Sequence, residues 1–172
     1  YRIPRSRKVL SQMKLADKLV SLALNEIGVE EVDGTNCGVR VDQYKSATNL
    51  PPHESWPWCA AIICWLVREA MRTDGPYTFA RPTTAGAWDL ENWSKKQDNS
   101  THTLRNPGND IKAGDIVIFK FSHVGLCVRG AEAGRIRTVE GNTDAAGSRE
   151  GGGVFQKSRS LDSIKTRIRF TV

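Results

Sequence analysis

One cysteine of this chain stands where a protein can activate a thiol. Cys59 follows the turn Trp56-Pro57-Trp58 and begins the apolar run 59–67. Pro57 restricts Trp56 to an extended backbone, and the apolar run predicts a central helix that is buried on all sides. At the first turn of such a helix, free backbone N–H groups and the helix dipole favour a thiolate. A buried core cysteine is the alternative, because free cysteine is among the most buried residue types.

A cysteine nucleophile needs a general base, and the chain has three histidines. His123 opens a predicted strand directly after an apolar run, where the chain leaves the core. His102 falls in a polar segment in which a solvated role is expected, and His53 falls in a Pro-rich turn. Gly125 leaves space beside the His123 imidazole that the helix end carrying Cys59 could fill. His123 is therefore the preferred base, with a purely structural histidine at a strand end as the alternative.

The next predicted strand offers a group that could orient this imidazole. Glu140 and Asn142 lie two residues apart in the strand 135–142, so they share a face. A four-residue hairpin loop at 130–133 would put His123 opposite Glu140, with Cβ atoms about 5 Å apart. A carboxylate there would hold the imidazole as the third member of a Ser-His-Asp triad does. A loop of odd length would move Glu140 to the opposite face.

The elements that must position these residues fall into two sets. Periodicity predicts helices in the first part of the chain, at 14–28, around Tyr44, from Cys59 to about Arg72, and at 83–96 with Ala87, Trp88 and Leu90 facing inward. Beyond a surface loop at 97–110, alternation predicts strands at 115–121, 123–129, 135–142, 153–159 and 164–171. Helices before strands predict an α+β fold with N-terminal helices packed on a C-terminal antiparallel sheet. Residues 1–13 are expected to form a basic arm and residues 14–172 a single domain.

The formal net charge of +6 comes from basic clusters near both ends of the chain. This charge favours an anionic partner, and nucleic acid, an anionic cell envelope or solubility alone would each explain it. The sequence has no zinc-finger spacing, no aromatic RNA-binding motif and no Gly-rich phosphate loop, so specific nucleic-acid recognition is not expected. No uncharged apolar stretch approaches the roughly 20 residues of a membrane span, so no transmembrane segment is expected.

Taken together, these segments resemble the CHAP family of cysteine, histidine-dependent amidohydrolases/peptidases, which are relatives of NlpC/P60 and papain-like enzymes. The matching segments are Trp58-Cys59-Ala60-Ala61, the run 114–119, His123-Val124-Gly125, Glu140-Gly141-Asn142, and the stretches 26–31 and 84–88. Each segment is weak alone, but their order and separations are specific. The resemblance covers most of the chain beyond the arm.

The resemblance implies a papain-like fold and cleavage of an amide bond in bacterial peptidoglycan. The enzyme would be an N-acetylmuramoyl-L-alanine amidase or an endopeptidase of the stem or cross-bridge peptide. Carried over by position, Cys59 looks like the nucleophile, His123 the base and Glu140 the orienting group. Asn142 matches a residue that assists this site, either at the imidazole or at the oxyanion.

A role for the protein follows from the same resemblance. A phage lysin or a secreted antibacterial effector is expected, delivered to the bacterial cell wall or periplasm, with an immunity or delivery protein as a further partner of an effector. Two alternatives stay open: a non-catalytic wall-binding or phage-tail module of the same fold, and a cysteine protease that acts on protein. Retention of Cys59, His123 and Glu140 together argues against the non-catalytic module, because binding alone requires none of them.

Three tryptophans are candidates for a substrate groove. Trp56 and Trp58 flank the turn before the cysteine, and Trp88 lies in the predicted helix 83–96. Trp58 is the best candidate because it adjoins the nucleophile. Core packing is the alternative for each of the three, and it is the expected role of Trp65 and Trp93.

No metal or other cofactor is expected. The four cysteines lack C-x-x-C spacing, which argues against a zinc site. Some CHAP members bind calcium through an acidic segment shortly before the cysteine. Here the segment 39–54 offers Asp42 and Glu54 but no closely spaced acidic cluster of the kind that a calcium loop requires.

Overall fold

The structure is a computed structural model that describes residues 13–72 and 77–172. The arm predicted at 1–13 therefore lies, except for Met13, outside the described residues. Within the described part, four helices come first: α1 (Leu15–Asn25), α2 (Val39–Lys45), α3 (Cys59–Met71) and α4 (Asp89–Ser94). Six strands follow: β1 (Thr101–Arg105), β2 (Ile116–Phe119), β3 (Val124–Glu132), β4 (Arg135–Thr143), β5 (Gly153–Ser160) and β6 (Ile164–Phe170).

The strands form one antiparallel sheet in the order β1-β6-β2-β3-β4-β5. The helices pack on one face of this sheet, in a core that joins α1, α3 and the inward side chains of the central strands. A second, smaller core lies on the other face, around Phe119, Cys127 and Ile136. The predicted α+β fold, with helices on a C-terminal antiparallel sheet, is confirmed.

Helix α3 lies at the centre of the fold because its sequence is apolar all round. Every residue from 59 to 67 is buried. Helices α1 and α2 pack on one side of it, and strands β3 and β4 on the other. Full burial of one Ile or Leu side chain contributes roughly 1.5–3 kcal/mol, so this run fixes the first turn of α3, and Cys59 with it, against the sheet.

The predicted helix at 83–96 is shorter than its periodicity indicated. The hydroxyl of Thr84 accepts the N–H of Gly86 at 3.1 Å, a local turn that competes with helical hydrogen bonding. Helix α4 therefore begins only at Asp89. Leu90 is buried as predicted, but Trp88 is 46% exposed and does not face inward, because it precedes the helix that would have set its direction.

The segment 97–110, predicted as a loop, contains an edge strand. Strand β1 pairs with β6 along its whole length, with His102 opposite Arg169. His102 is exposed, and its Nδ1 lies 2.8 Å from Nη1 of Arg167. The prediction was wrong because a polar edge strand carries no apolar alternation that sequence reasoning can detect.

The hairpin between β3 and β4 is tighter than predicted. Glu132 pairs with Arg135, so the connection is the two residues Ala133 and Gly134, with φ of 49° and 75°. Two positive φ values are the signature of a type I′ turn, whose twist matches that of the flanking strands. The four-residue loop at 130–133 is therefore wrong, and the register is set by this turn together with two irregularities, between Glu132 and Arg129 and between Arg129 and Cys127.

The basic cluster near the C-terminus is largely balanced inside the fold. Arg167 is buried and pairs with Asp110 at 2.6 Å, and Arg169 pairs with Asp115 at 2.7 Å. Asp115 also accepts the N–H of Lys112 at 2.8 Å, in the predicted turn before its strand. These cations stabilise the sheet and do not form an open anion-binding surface. Among the described residues, no helix combines the length and apolarity needed to cross a membrane.

Candidate active site

Cys59 is the first residue of α3 and lies at the edge of the core. Trp58 precedes it with φ −116° and ψ 17°, and the Trp58 carbonyl accepts the first helical N–H, from Ile62, at 3.2 Å. Cys59 is 7% exposed, so it lies just below the surface. The free N–H groups of the first turn and the positive end of the helix dipole both lie beside its thiol.

Asn142 fixes the turn that delivers this cysteine. Its Oδ1 accepts the backbone N–H of Trp58 at 2.6 Å. Its amide nitrogen donates to the Gly151 carbonyl at 2.8 Å and to Oδ1 of Asn36 at 3.4 Å. The structure thus places the Asn142 amide on the backbone at the start of α3. The sequence had left open a position at the imidazole or at the oxyanion.

Trp58 is a core residue, which corrects its interpretation as the best groove candidate. Its side chain is fully buried. The indole stacks on Tyr44, with ring centroids 5.7 Å apart, and its N–H donates to Glu31 Oε2 at 2.9 Å. A Cβ on Gly141 would lie 2.7 Å from the indole ring, so the glycine of the Glu-Gly-Asn segment provides space for this tryptophan. A ring enclosed in this way offers no surface to a substrate.

His123 directly precedes β3 and is fully buried. Its imidazole stacks against Phe119 and Phe121, with centroid separations of 6.0 and 5.9 Å. Nε2 lies 3.0 Å from Glu140 Oε2. Nδ1 is buried and has no hydrogen-bond partner within standard geometry among the described residues. One ring nitrogen is therefore held by a carboxylate while the other remains available.

Glu140 reaches His123 across a glycine. Leu126 pairs with Val139. One residue further along each strand, Gly125 lies opposite Glu140, whereas the predicted partner of Glu140 was His123. A Cβ on Gly125 would lie 2.6 Å from Cγ of Glu140, so the Glu140 side chain occupies the space that the sequence had assigned to the helix end. The predicted register was wrong by two residues, and because side chains alternate with a period of two, Glu140 kept its predicted face.

The electrostatics of this group favour an ion pair. Burial lowers the pKa of His123, but interactions with the Cys59 and Glu140 side chains raise it to about 9. Burial raises the pKa of Glu140, but hydrogen bonds from Arg159 and His123 lower it to about 2. The structure thus brings the thiol, the imidazole and the carboxylate together, with the imidazole between the other two.

Two residues in contact with Glu140 were missed by the sequence analysis. Thr138 Oγ1 donates to Glu140 Oε1 at 2.5 Å, and Arg159 contacts both carboxylate oxygens, at 2.9 and 2.5 Å. Thr138 lies two residues before Glu140 and so shares its face. Alternation along β5 puts Phe155, Lys157 and Arg159 on that face too, but identifying Arg159 required the pairing of β5 with β4.

The remaining candidates from the sequence are Trp88, Trp56 and His53, and of these only Trp88 contacts a residue that packs on His123. Trp88 donates its indole N–H to the Phe119 carbonyl at 3.3 Å, which places its exposed ring beside the aromatic residues that contact His123. Trp56 is half-buried, and its N–H donates to the Pro51 carbonyl at 2.9 Å. His53 is exposed and pairs with Asp42 at 2.8 Å.

A cavity of about 540 Å³ lies beside the turn that precedes Cys59. Neither Cys59 nor His123 lines it. Its wall includes Pro57 and Asn36, and its charged residues are Glu30, Glu31, Asp144 and Glu150. Over the ranges 13–72 and 77–172, no three His, Cys, Asp or Glu side chains form a group that could hold a metal ion.

A helix that presents a cysteine against a histidine at the end of an antiparallel sheet is the arrangement that the resemblance to papain-like enzymes implied. A family model of the CHAP domain matches residues 51–142, more than half of the chain. The chain belongs to the CHAP domain family. The matched segment includes Cys59, His123, Glu140 and Asn142.

A solved structure shows the same fold. The crystal structure of a wild type endolysin, LysIME-EF1, is similar with a TM-score of 0.54 and 19% sequence identity. The similarity covers 92% of this chain and 64% of that chain, so this chain spans somewhat less than two thirds of the endolysin chain. At this level of identity the similarity shows the fold alone. The comparison with curated proteins gave no match.

Proposed function

We propose that this protein hydrolyses an amide bond of bacterial peptidoglycan with Cys59 as the nucleophile. The observation that carries the proposal is the position of His123. Its Nε2 lies 3.0 Å from the buried Glu140 carboxylate, while Nδ1 has no hydrogen-bond partner of standard geometry within residues 13–72 and 77–172. The Cys59 side chain interacts with the same imidazole strongly enough to raise its pKa. Nucleophile, base and orienting group are the three parts of cysteine catalysis.

In this mechanism Nδ1 of His123 is the acceptor of the Cys59 proton. The thiolate attacks the amide carbonyl, and the negative charge on the resulting oxyanion is stabilised by the backbone N–H of Cys59 at the start of α3. The imidazolium then protonates the leaving amine as the carbon–nitrogen bond breaks, leaving a thioester. Water, deprotonated by His123, attacks the thioester and releases the carboxylic acid and the thiol.

The raised pKa of His123 suits this sequence. With a pKa of about 9, the imidazole holds its proton at neutral pH and can deliver it to the leaving amine. Glu140 remains ionised, because its pKa is about 2, and balances the imidazolium charge within the core.

Asn142 acts through the backbone in this proposal. By accepting the Trp58 N–H at 2.6 Å, it holds the residue before Cys59 and so sets the direction of the thiol. Trp88 is the better substrate-binding candidate of the three tryptophans, because its ring is exposed and its N–H contacts the Phe119 carbonyl. The cavity beside Pro57, the second residue before Cys59, offers room for part of the substrate.

We also propose one catalytic domain, residues 14–172, that acts at the bacterial cell wall. A continuous core that includes Leu15 and Phe170 supports a single unit. Family membership supports the cell wall as the site of action, for a phage lysin or a secreted effector. An effector of this kind requires a delivery protein and, in the producing cell, an immunity protein.

Purified peptidoglycan and mass spectrometry of the released fragments test the proposal. New muramic-acid ends identify an amidase, and new peptide amines identify an endopeptidase. Cys59→Ala abolishes the release, while Cys37→Ser, a partly exposed thiol outside the group, retains it. Cleavage by Cys59→Ala at the wild-type rate contradicts the nucleophile assignment. Cleavage of casein with intact peptidoglycan would favour a protease that acts on protein.

A further inference from the structure

Arg159 on β5 makes a two-point contact with the carboxylate that orients His123. Its Nε donates to Glu140 Oε1 at 2.9 Å and its Nη2 donates to Oε2 at 2.5 Å. The side chains are 14% and 0% exposed. Parallel N–H···O bonds of this kind fix both the position and the plane of a carboxylate.

The guanidinium is itself held against the aromatic residues that contact the imidazole. It lies 5.2 Å from the ring centroids of both Phe119 and Phe121, and the His123 ring stacks on the same two side chains. Nη2 also donates to the Gly147 carbonyl at 3.2 Å. Arg159 thus has a fixed place relative to His123 as well as to Glu140.

Each Glu140 oxygen then has two partners. Oε1 accepts from Thr138 at 2.5 Å and from Arg159, and Oε2 faces His123 at 3.0 Å and accepts from Arg159. We propose that Arg159 is a positioning residue of the proposed reaction: it keeps Glu140 ionised and aligned, so that Glu140 holds His123 with Nδ1 toward Cys59. This inference rests on the proposed function and extends it to a residue beyond the matched segment 51–142.

The physical argument concerns the cost of a buried charge. A carboxylate without solvent contact protonates or turns away unless a cation and hydrogen bonds compensate it. The charged groups that face Glu140 are His123, directly before β3, and Arg159 on β5. The Cys59 thiol of α3 lies beyond the imidazole. Lys157, the next cation along β5, contacts the Asp144 and Ala145 carbonyls instead. Arg159 is therefore the permanent positive charge among them.

The consequence for pH dependence follows from the sign of each shift. Burial raises the pKa of Glu140, and the hydrogen bonds from Arg159 lead the effects that lower it to about 2. Without Arg159, only His123 and Thr138 remain to oppose the effect of burial, so Glu140 takes up its proton at a higher pH. The imidazolium then loses its counter-ion in mildly acidic solution, which weakens the interaction of His123 with Cys59.

The test measures the rate at which iodoacetamide alkylates Cys59 as a function of pH, with peptide mass spectrometry to assign the modified cysteine. In Arg159→Met we expect the acid limb of the profile to move up by about one pH unit or more. With a soluble peptidoglycan fragment we expect kcat to fall on the order of tenfold to a hundredfold at little change in KM. Arg135→Met is the matched control, because Arg135 bridges β4 and β5 at Ser158, away from Glu140.

Two further variants distinguish a positioning role of Arg159 from a structural one. Arg159→Lys retains the positive charge, and we expect its acid limb to lie close to the wild-type position. Arg159→Gln is a neutral donor, and we expect its acid limb to move up as in Arg159→Met. This pair also decides the question if the methionine variant does not fold. In a Glu140→Gln background, Arg159→Met has no further effect on the profile, because the arginine acts through Glu140.

An acid limb that stays in place in both Arg159→Met and Arg159→Gln would overturn the proposal and leave Arg159 a structural residue. An additional shift in the Glu140→Gln background would overturn it too. Alkylation needs no substrate, so these results stand whatever the wild-type protein cleaves. A normal alkylation profile in a wild-type protein without activity on peptidoglycan would reject the proposed function alone.

Discussion

Two buried glutamates, Glu140 on β4 and Glu91 on α4, organise similar clusters of side chains with different consequences. Glu91 accepts from Lys95 and Arg105, each at 2.6 Å, and from Thr166 at 2.8 Å. Burial raises its pKa, but the hydrogen bonds from Lys95, Thr166 and Arg105 lower it to about 2. These contacts join α4 to β1 and β6, so the Glu91 cluster fastens a helix to the edge of the sheet.

The Glu140 cluster has the same composition except for one member. It too has a threonine, Thr138, and an arginine, Arg159, and its carboxyl pKa is also about 2. Its third partner is His123, a group that titrates, in place of a permanently charged lysine. A buried carboxylate of low pKa therefore does not by itself indicate catalysis. The informative feature is a titratable partner whose second nitrogen faces a thiol.

The largest expected effect comes from removing His123, the member in which the two clusters differ. His123→Ala leaves Glu140 with only its threonine and its arginine, so the thiol loses its base and the leaving amine loses its acid. We expect kcat on peptidoglycan fragments to fall by about 10³ to 10⁴. His102→Ala, on β1 at the far edge of the sheet, serves as the control. Wild-type activity in His123→Ala would remove the base from the mechanism.

The same isosteric change in each glutamate tests the comparison directly. Glu140→Gln keeps the shape but removes the counter-charge of the imidazolium, and we expect a loss in kcat on the order of a hundredfold or more. Glu91→Gln should leave kcat unchanged and lower the free energy of unfolding by about 1–2 kcal/mol. Urea unfolding and initial rates on one fragment measure both quantities. Equal losses of kcat in the two variants would show that the clusters do not differ in function.

The pH dependence of stability distinguishes the two clusters, because only the Glu140 cluster should lose stability at alkaline pH. The pKa of His123 is raised from 6.5 to about 9, so its contribution is complete below about pH 6.5 and is lost as the pH rises through 9. The pKa values of Glu91 and Glu140 are lowered from 4.5 to about 2, so their contributions are present above 4.5 and are lost as the pH falls through 2. Thermal unfolding should show an alkaline loss that is absent in His123→Gln and retained in Glu91→Gln.

The smallest expected effect concerns Trp88, whose ring lies between the Glu91 cluster and the aromatic residues beside His123. Nζ of Lys165 lies 3.9 Å from the Trp88 ring centroid and 3.9 Å from Glu91 Oε2, while the Trp88 N–H contacts Phe119. For Trp88→Ala we expect KM to rise several-fold at unchanged kcat, because an exposed ring contributes to binding and not to proton transfer. An unaltered KM would exclude Trp88 from the substrate groove.

The order and type of most elements were predictable from local pattern. The central helix was placed at Cys59 because an apolar run with no polar face can be satisfied only in the core. Strand β1 was missed because an edge strand can be polar on both faces. The predicted helix at 83–96 was too long because the Thr84 hydroxyl takes the Gly86 N–H into a local turn.

The relation of His123 to Glu140 was predicted by an argument that was only partly right. The hairpin closes through Ala133 and Gly134, and Glu140 faces Gly125, not His123. The contact forms nonetheless, because an even shift preserves the face and the glycine lets the carboxylate lie diagonally across the strand. Trp58 shows the converse: its neighbour in sequence is the cysteine, but remote residues enclose its ring.

By itself, the sequence determined the fold class and the residue types at the candidate site: Cys59 at a helix start, His123 at a strand start, and Glu140 on a face that can reach the imidazole. The fold class and these residue positions follow from the spacing of apolar residues and the order of the elements along the chain, both of which can be read from the sequence. Only the tertiary structure decided that Asn142 holds the Trp58 backbone and that Arg159 holds Glu140. Such contacts depend on strand register and on side chains that meet across the sheet, and no local pattern encodes either one.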